Sequence, residues 1–175
     1  MKKVPFILVL HFVTMSSLFS QSSESPIFVY PKVTGYLSFV LPLVKFNKNE
    51  TTNNFENIKN NFTIGFPAGI NILYSERFGL SFELTPFIKS RNGTTKTGNF
   101  VFSPGPMFRF RQGFTIIARL AFETSGRYGV TPVFNKIIIR SKAFNYFVSG
   151  SLPVRFGNDE VPSIGVNIQF GLIFN

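Results

Sequence analysis

Two carboxylates and three guanidinium groups sit at alternating positions within extended, one-sidedly apolar stretches: Glu83, Glu123, Arg109, Arg119 and Arg155. Such a set can do one of two things. A carboxylate with raised proton affinity performs acid–base chemistry, whereas one held against a cation makes a structural ion pair. The rest of the inventory decides between them. The chain contains a single histidine, His11, and no cysteine. His11 lies in an N-terminal segment that reads as removable, so a Ser–His triad cannot be assembled. Metal binding through imidazole or thiolate is excluded on the same ground, as are disulfides and a cysteine nucleophile. No glycine-rich phosphate loop is present. The five charges are therefore expected to form a mixed-sign structural network, with no catalytic residue, metal or cofactor.

Two further places carry polar chemistry. Asp159-Glu160 reads as part of a solvated turn. The stretch from Gly126 to Lys136, with Arg127, Tyr128, Thr131, Phe134 and Asn135, is aromatic and polar enough to bind a ligand. Its plainer reading is a packed loop or an irregular strand.

The elements that hold these residues are strands. In Ile164, Val166, Ile168, Phe170, Leu172 and Phe174 every second residue is apolar, with Gly165, Asn167, Gln169 and Gly171 between them. Successive side chains of a strand point to opposite faces, so this is a sheet with one greasy and one polar side. The same alternation runs through residues 33–46, 62–74, 80–90, 99–111, 114–123 and 143–156. Residues 47–61 and 91–98 read as polar loops. Pro104 and Pro106 suggest a bulge or break in their strand. Across residues 125–142 alternation fails around Ile137, Ile138 and Ile139. Seven clear strands leave a closed antiparallel sheet one short of an even number, so an eighth is assigned to Tyr128 through Arg140.

Alternation alone does not say which face points out. The polar face is rich in Gly, Ser, Thr and Asn, small enough for a narrow interior. Its charges come in both signs, as enclosed charges require. The apolar face is crowded with phenylalanine, of which the chain has 24. That bulk suits lipid better than the inside of eight strands. The expected fold is all-β, an antiparallel up-and-down transmembrane β-barrel of about eight strands over residues 22–175. A soluble secreted barrel of the lipocalin kind, apolar inside, is the alternative.

The net charge of +10 invites a nucleic-acid reading, but outside Lys2-Lys3 the basic residues are scattered among strands. No nucleic-acid partner is expected, and a basic barrel suits anionic headgroups. Lys2-Lys3 followed by the apolar run Phe6 to Val13 and by Ser16, Ser17, Ser20 and Gln21 has the organisation of a signal peptide, residues 1–21. No other apolar run reaches the ~20 residues a transmembrane helix needs.

Leu18 to Gln21 resembles the end of signal peptides from Gram-negative bacteria of the Bacteroidetes type. Phe170, Leu172 and Phe174 resemble the C-terminal aromatic signal of small outer-membrane β-barrel proteins, although Asn175 follows where that family ends on the aromatic. The resemblance implies an outer-membrane location, outer-membrane lipid as surroundings, and recognition of Phe170, Leu172 and Phe174 by the barrel-insertion machinery. The histidine-dependent enzymes of outer membranes are not matched. The expected function is a non-enzymatic scaffold or surface-interaction module with a side-chain-filled interior. The alternatives are a narrow pore for ions or small solutes and a secreted binder of apolar ligands.

Overall fold

The computed structural model describes residues 29–48, 51–53 and 61–174; the N-terminal segment that reads as a signal peptide lies outside the described residues. The described residues form eleven strand segments: β1 (Lys32–Asn47), β2 (Thr51–Asn53), β3 (Asn61–Gly65), β4 (Ala68–Leu73), β5 (Phe78–Arg91), β6 (Thr94–Arg109), β7 (Phe114–Glu123), β8 (Tyr128–Arg140), β9 (Phe144–Ser151), β10 (Val154–Phe156) and β11 (Ser163–Phe174). All pairings are antiparallel between chain neighbours, and β11 returns to pair with β1. The sheet is thus a closed up-and-down barrel. β3 and β4 together make one stave, interrupted at Phe66-Pro67, and β9 and β10 make another, interrupted at Leu152-Pro153. With β2 set aside as a short flap on β1, eight staves close the ring. The eighth strand expected at Tyr128 through Arg140 is β8, with those limits.

Several local readings need correction, each for an identifiable reason. Residues 91–98 are not a loop. β5 and β6 run on to Arg91 and Thr94 around Asn92-Gly93, whose φ angles of 48° and 77° make the two-residue turn that matches strand twist. Pro104 and Pro106 do not break β6; they interrupt its ladder to β7, which lapses between Phe102 and Met107, while pairing to β5 continues. The loop from residue 47 includes β2, paired to Val44, Lys45 and Phe46. The lost alternation at Ile137–Ile139 is a bulge, which leaves Ile138 and Ile139 both outside.

The faces are sorted by polarity, with the greasy side out. Leu37, Phe39, Ile70, Leu84, Phe102, Leu120, Phe122 and Phe134 are exposed, whereas Ser81, Glu83, Thr85, Ser103, Arg119, Asn135, Ser149 and Gln169 are buried within the ring. The outward positions of β5 run from Phe78 to Ile88, about ten residues, or roughly 23 Å of height at ~3.3 Å rise and ~45° tilt. Tyr74, Phe78, Phe108, Phe110, Phe114, Phe144 and Tyr146 gather around the end that holds Lys32 and Phe174, with ring pairs 5.3–6.4 Å apart. The interior is less uniformly polar than the alternation suggested. Leu73, Met107, Ile117 and Val133 pack together inside, near that same end. They share the inward parity with the serines and threonines.

Candidate functional site

Among the described residues two chambers lie inside the ring, with buried side chains between them. The smaller, about 90 Å³, lies toward the chain termini and is lined by Thr34, Leu73, Met107, Arg109, Ile117, Phe147 and their neighbours. The larger, about 700 Å³, lies toward the β5–β6 turn and the turn before β11. The two share no lining residue. Between them stand Val40, Glu83, Thr85, Ser103, Ala121, Thr131 and Ser151, all buried, with Ala121 fully enclosed.

This septum is held by Glu83 and Arg119. Arg119 Nη1 donates to Glu83 Oε2 at 2.8 Å, and both side chains are less than a tenth exposed. Strand register explains the encounter. Glu83 of β5 and Arg119 of β7 flank β6, both are buried inside the ring, and their side chains meet over its inner face near Ser103 and Gly105. Tyr36 Oη donates to Glu83 Oε2 at 2.9 Å and accepts from Arg119 Nη2 at 2.9 Å. Thr85 Oγ1 and Gln169 Nε2 donate to the same carboxylate, at 3.2 and 3.3 Å, and Gln169 also donates to Ser38 Oγ at 2.8 Å. Four donors therefore converge on Glu83, the arrangement that makes enclosing a carboxylate tolerable. They also occupy the oxygens a proton-transferring group would need free.

Tyr36 was not singled out in the sequence, although its parity with Thr34 and Ser38 marks it as inward. Its ring lies over Gly69, its cross-strand neighbour. A Cβ at Gly69 would collide with that ring. We expect Gly69→Ala to destabilise the barrel by about 1–3 kcal/mol through this overpacking. It should also displace the Tyr36 hydroxyl from Glu83. Urea unfolding in micelles, with the near-ultraviolet tyrosine signal, checks both; unchanged stability would contradict the packing role.

A second cluster lies in the wall of the larger chamber. Arg155 Nε donates to Glu123 Oε1 at 2.7 Å and its Nη1 to Thr131 Oγ1 at 2.9 Å. Asn99 Nδ2 donates to the other Glu123 oxygen at 2.6 Å. Arg127 forms a third. It is buried, donates to Glu160 Oε2 at 2.7 Å and to Ser163 Oγ at 3.0 Å, and so ties the turn between β7 and β8 to the start of β11 and the turn before it. Glu160 is thus an ion-pair partner, not merely a solvated turn residue. The five charges expected in one network fall out differently: Glu83 with Arg119, Glu123 with Arg155, and Arg109 with neither. Arg109 lines the smaller chamber, and among the described residues no carboxylate pairs with it. The reason is register, since Arg109 ends β6 opposite Thr115, well below both carboxylates.

Phe170, Leu172 and Phe174 lie on the outer face of β11, with Phe170 stacked on Phe39 at 5.5 Å. Among the described residues no three His, Cys, Asp or Glu side chains converge on one point.

No family model matches the chain, and no curated protein matches it. Among solved structures, the solution NMR structure of the de novo designed TMB2.3 aligns at a TM-score of 0.47 and 11% identity, over 83% of this chain and 94% of that one.

Proposed function

We propose that the protein is an outer-membrane β-barrel that acts as a non-enzymatic scaffold or surface-interaction module. One observation carries this reading: the barrel is inverted relative to a soluble one, with charged and hydroxyl side chains enclosed and large apolar side chains exposed around the ring. Water leaves such a surface at a gain of ~25 cal/mol per Å², and a bilayer supplies what replaces it. The belt height of roughly 23 Å suits the ~25 Å apolar band of barrels of this kind. The ring of aromatic residues at the terminus-bearing end suits an interface girdle. Among the described residues no helix is long and apolar enough to cross a membrane, a criterion that does not bear on strands.

The septum favours a scaffold over a pore. An eight-stranded interior is just wide enough for side chains to fill, and here the side chains at the level of Glu83 and Ala121 are buried. The reading is tested by expressing the full chain in a Gram-negative host and fractionating the membranes. We expect the protein in the outer membrane, with gel mobility that changes on boiling, and no steps of conductance in planar bilayers. Recovery in a soluble fraction, without heat-dependent mobility, would overturn it. Phe174→Ala, at the exposed end of β11, is expected to slow assembly in cells while leaving the unfolding midpoint of the assembled barrel nearly unchanged. Equal assembly rates for the two proteins would remove Phe174 from the assembly signal.

A further inference from the structure

We infer that the larger chamber is a binding site for a small, multiply charged oxyanion carrying phosphate or carboxylate groups. Its lining holds five basic side chains, Lys45, Lys89, Arg91, Arg127 and Arg155, against two acidic ones, Glu123 and Glu160. Both acids are already committed, to Arg155 and Arg127 at 2.7 Å. Lys45, Lys89 and Arg91 have no carboxylate partner among the described residues.

Local structure goes out of its way to place these cations. A bulge between Pro42 and Val44 shifts the parity of β1, so that Lys45 pairs with Gly165 and turns inward instead of following Leu41 to the outside. A second irregularity, on the β6 side between Asn99 and Thr97, sets Lys89 opposite Lys96, and the Lys89 stem lies over Gly98. The volume of about 700 Å³ falls in the range of small-molecule sites. The wall beside Lys45 is closed by the β1–β11 pairing, which bars sideways entry from a bilayer there. Lipid headgroups carry the same phosphate chemistry, and the experiment separates the two sources.

The folded chain, in zwitterionic micelles, is titrated with inorganic tripolyphosphate in a calorimeter. This needs only the closed ring, so it stands apart from the membrane assignment. Saturable one-to-one binding is expected, weakening as salt rises. Lys45→Gln with Lys89→Gln should weaken it by about tenfold or more; both side chains are exposed to the chamber, so folding, read by heat-dependent mobility, should persist. If the pair fails to fold, each single substitution should still weaken binding several-fold. Arg140→Gln with Lys142→Gln, at the opposite end, should leave it unchanged. Absence of saturation, or equal weakening by the opposite-end pair, overturns the site. In phosphatidylcholine bilayer discs, adding phosphatidylglycerol should leave tripolyphosphate binding unchanged. Loss of binding there would mean that headgroups fill the chamber, and the soluble-ligand assignment would fall.

Discussion

Glu83→Ala is expected to cost the folded barrel about 3–5 kcal/mol, because it leaves the Arg119 guanidinium enclosed without a counter-charge. Arg119 is 5% exposed and is held by Glu83, Tyr36 and Ser81. Removing the carboxylate takes away the one anion in that set and strands the Tyr36 hydroxyl as well, whereas Gln169 keeps Ser38. The comparison that isolates the charge term is Glu83→Leu combined with Arg119→Met. Apolar replacement of a buried pair is often neutral or stabilising, so the double variant should recover most of the loss. Denaturant unfolding in phospholipid vesicles reads both. A loss below about 1 kcal/mol for Glu83→Ala would mean that water reaches the septum and that the two chambers communicate.

Phe170→Arg should cost roughly 2–4 kcal/mol, since Phe170 lies outside, near the middle of β11, where a bilayer would be driest. It would also lose the stacked Phe39 ring. Asn167→Arg, three residues away on the other face, places the same charge in the aqueous chamber and should be nearly silent. Gln169→Arg is inward too but falls in the septum, 4% exposed, where extra bulk should cost about 1–3 kcal/mol. The order Phe170→Arg, then Gln169→Arg, then Asn167→Arg, measured as unfolding free energy in vesicles, is the outcome expected. If Asn167→Arg proves the most damaging and Phe170→Arg is silent, the apolar face does not meet lipid.

What the sequence showed and what it hid follow from the range of the physics involved. Strand faces are legible because a period of two needs only nearest neighbours: Ile164 through Phe174 and Phe114 through Glu123 lie as alternation places them. Bulges are illegible for the same reason, because each is a two-against-one count set by the partner strand. Hence Val44 looked inward, Lys45 outward, and Ile137–Ile139 patternless, until register was seen. Polarity was a good guide to the inner face but not a complete one. Leu73, Met107, Ile117 and Val133 are inward by parity and were hidden by their apolarity. Alternation placed Glu83 and Arg119 on inward positions, but the register of β5 and β7 against β6 decides pairing. Nothing local distinguished Arg119, which meets Glu83, from Arg109, which does not.

The seam between β1 and β11 joins the two ends of the described chain, with Ser38 and Gln169 hydrogen-bonded across 131 positions. Every other stave contact links neighbours in sequence, so it can form as soon as the second partner emerges. The seam forms only with the last twelve-residue strand, which brings the β9–β11 ladder with it. Until then β1 and β9 each carry an unpaired row of amide and carbonyl groups, which recruit other chains as readily as their own. Closure is therefore a check on completeness. A polypeptide cut short before Ser163 keeps every hairpin up to β8–β9 yet stays an open, adhesive sheet, because both ladders of β11 are missing and the ring has no strand to close it.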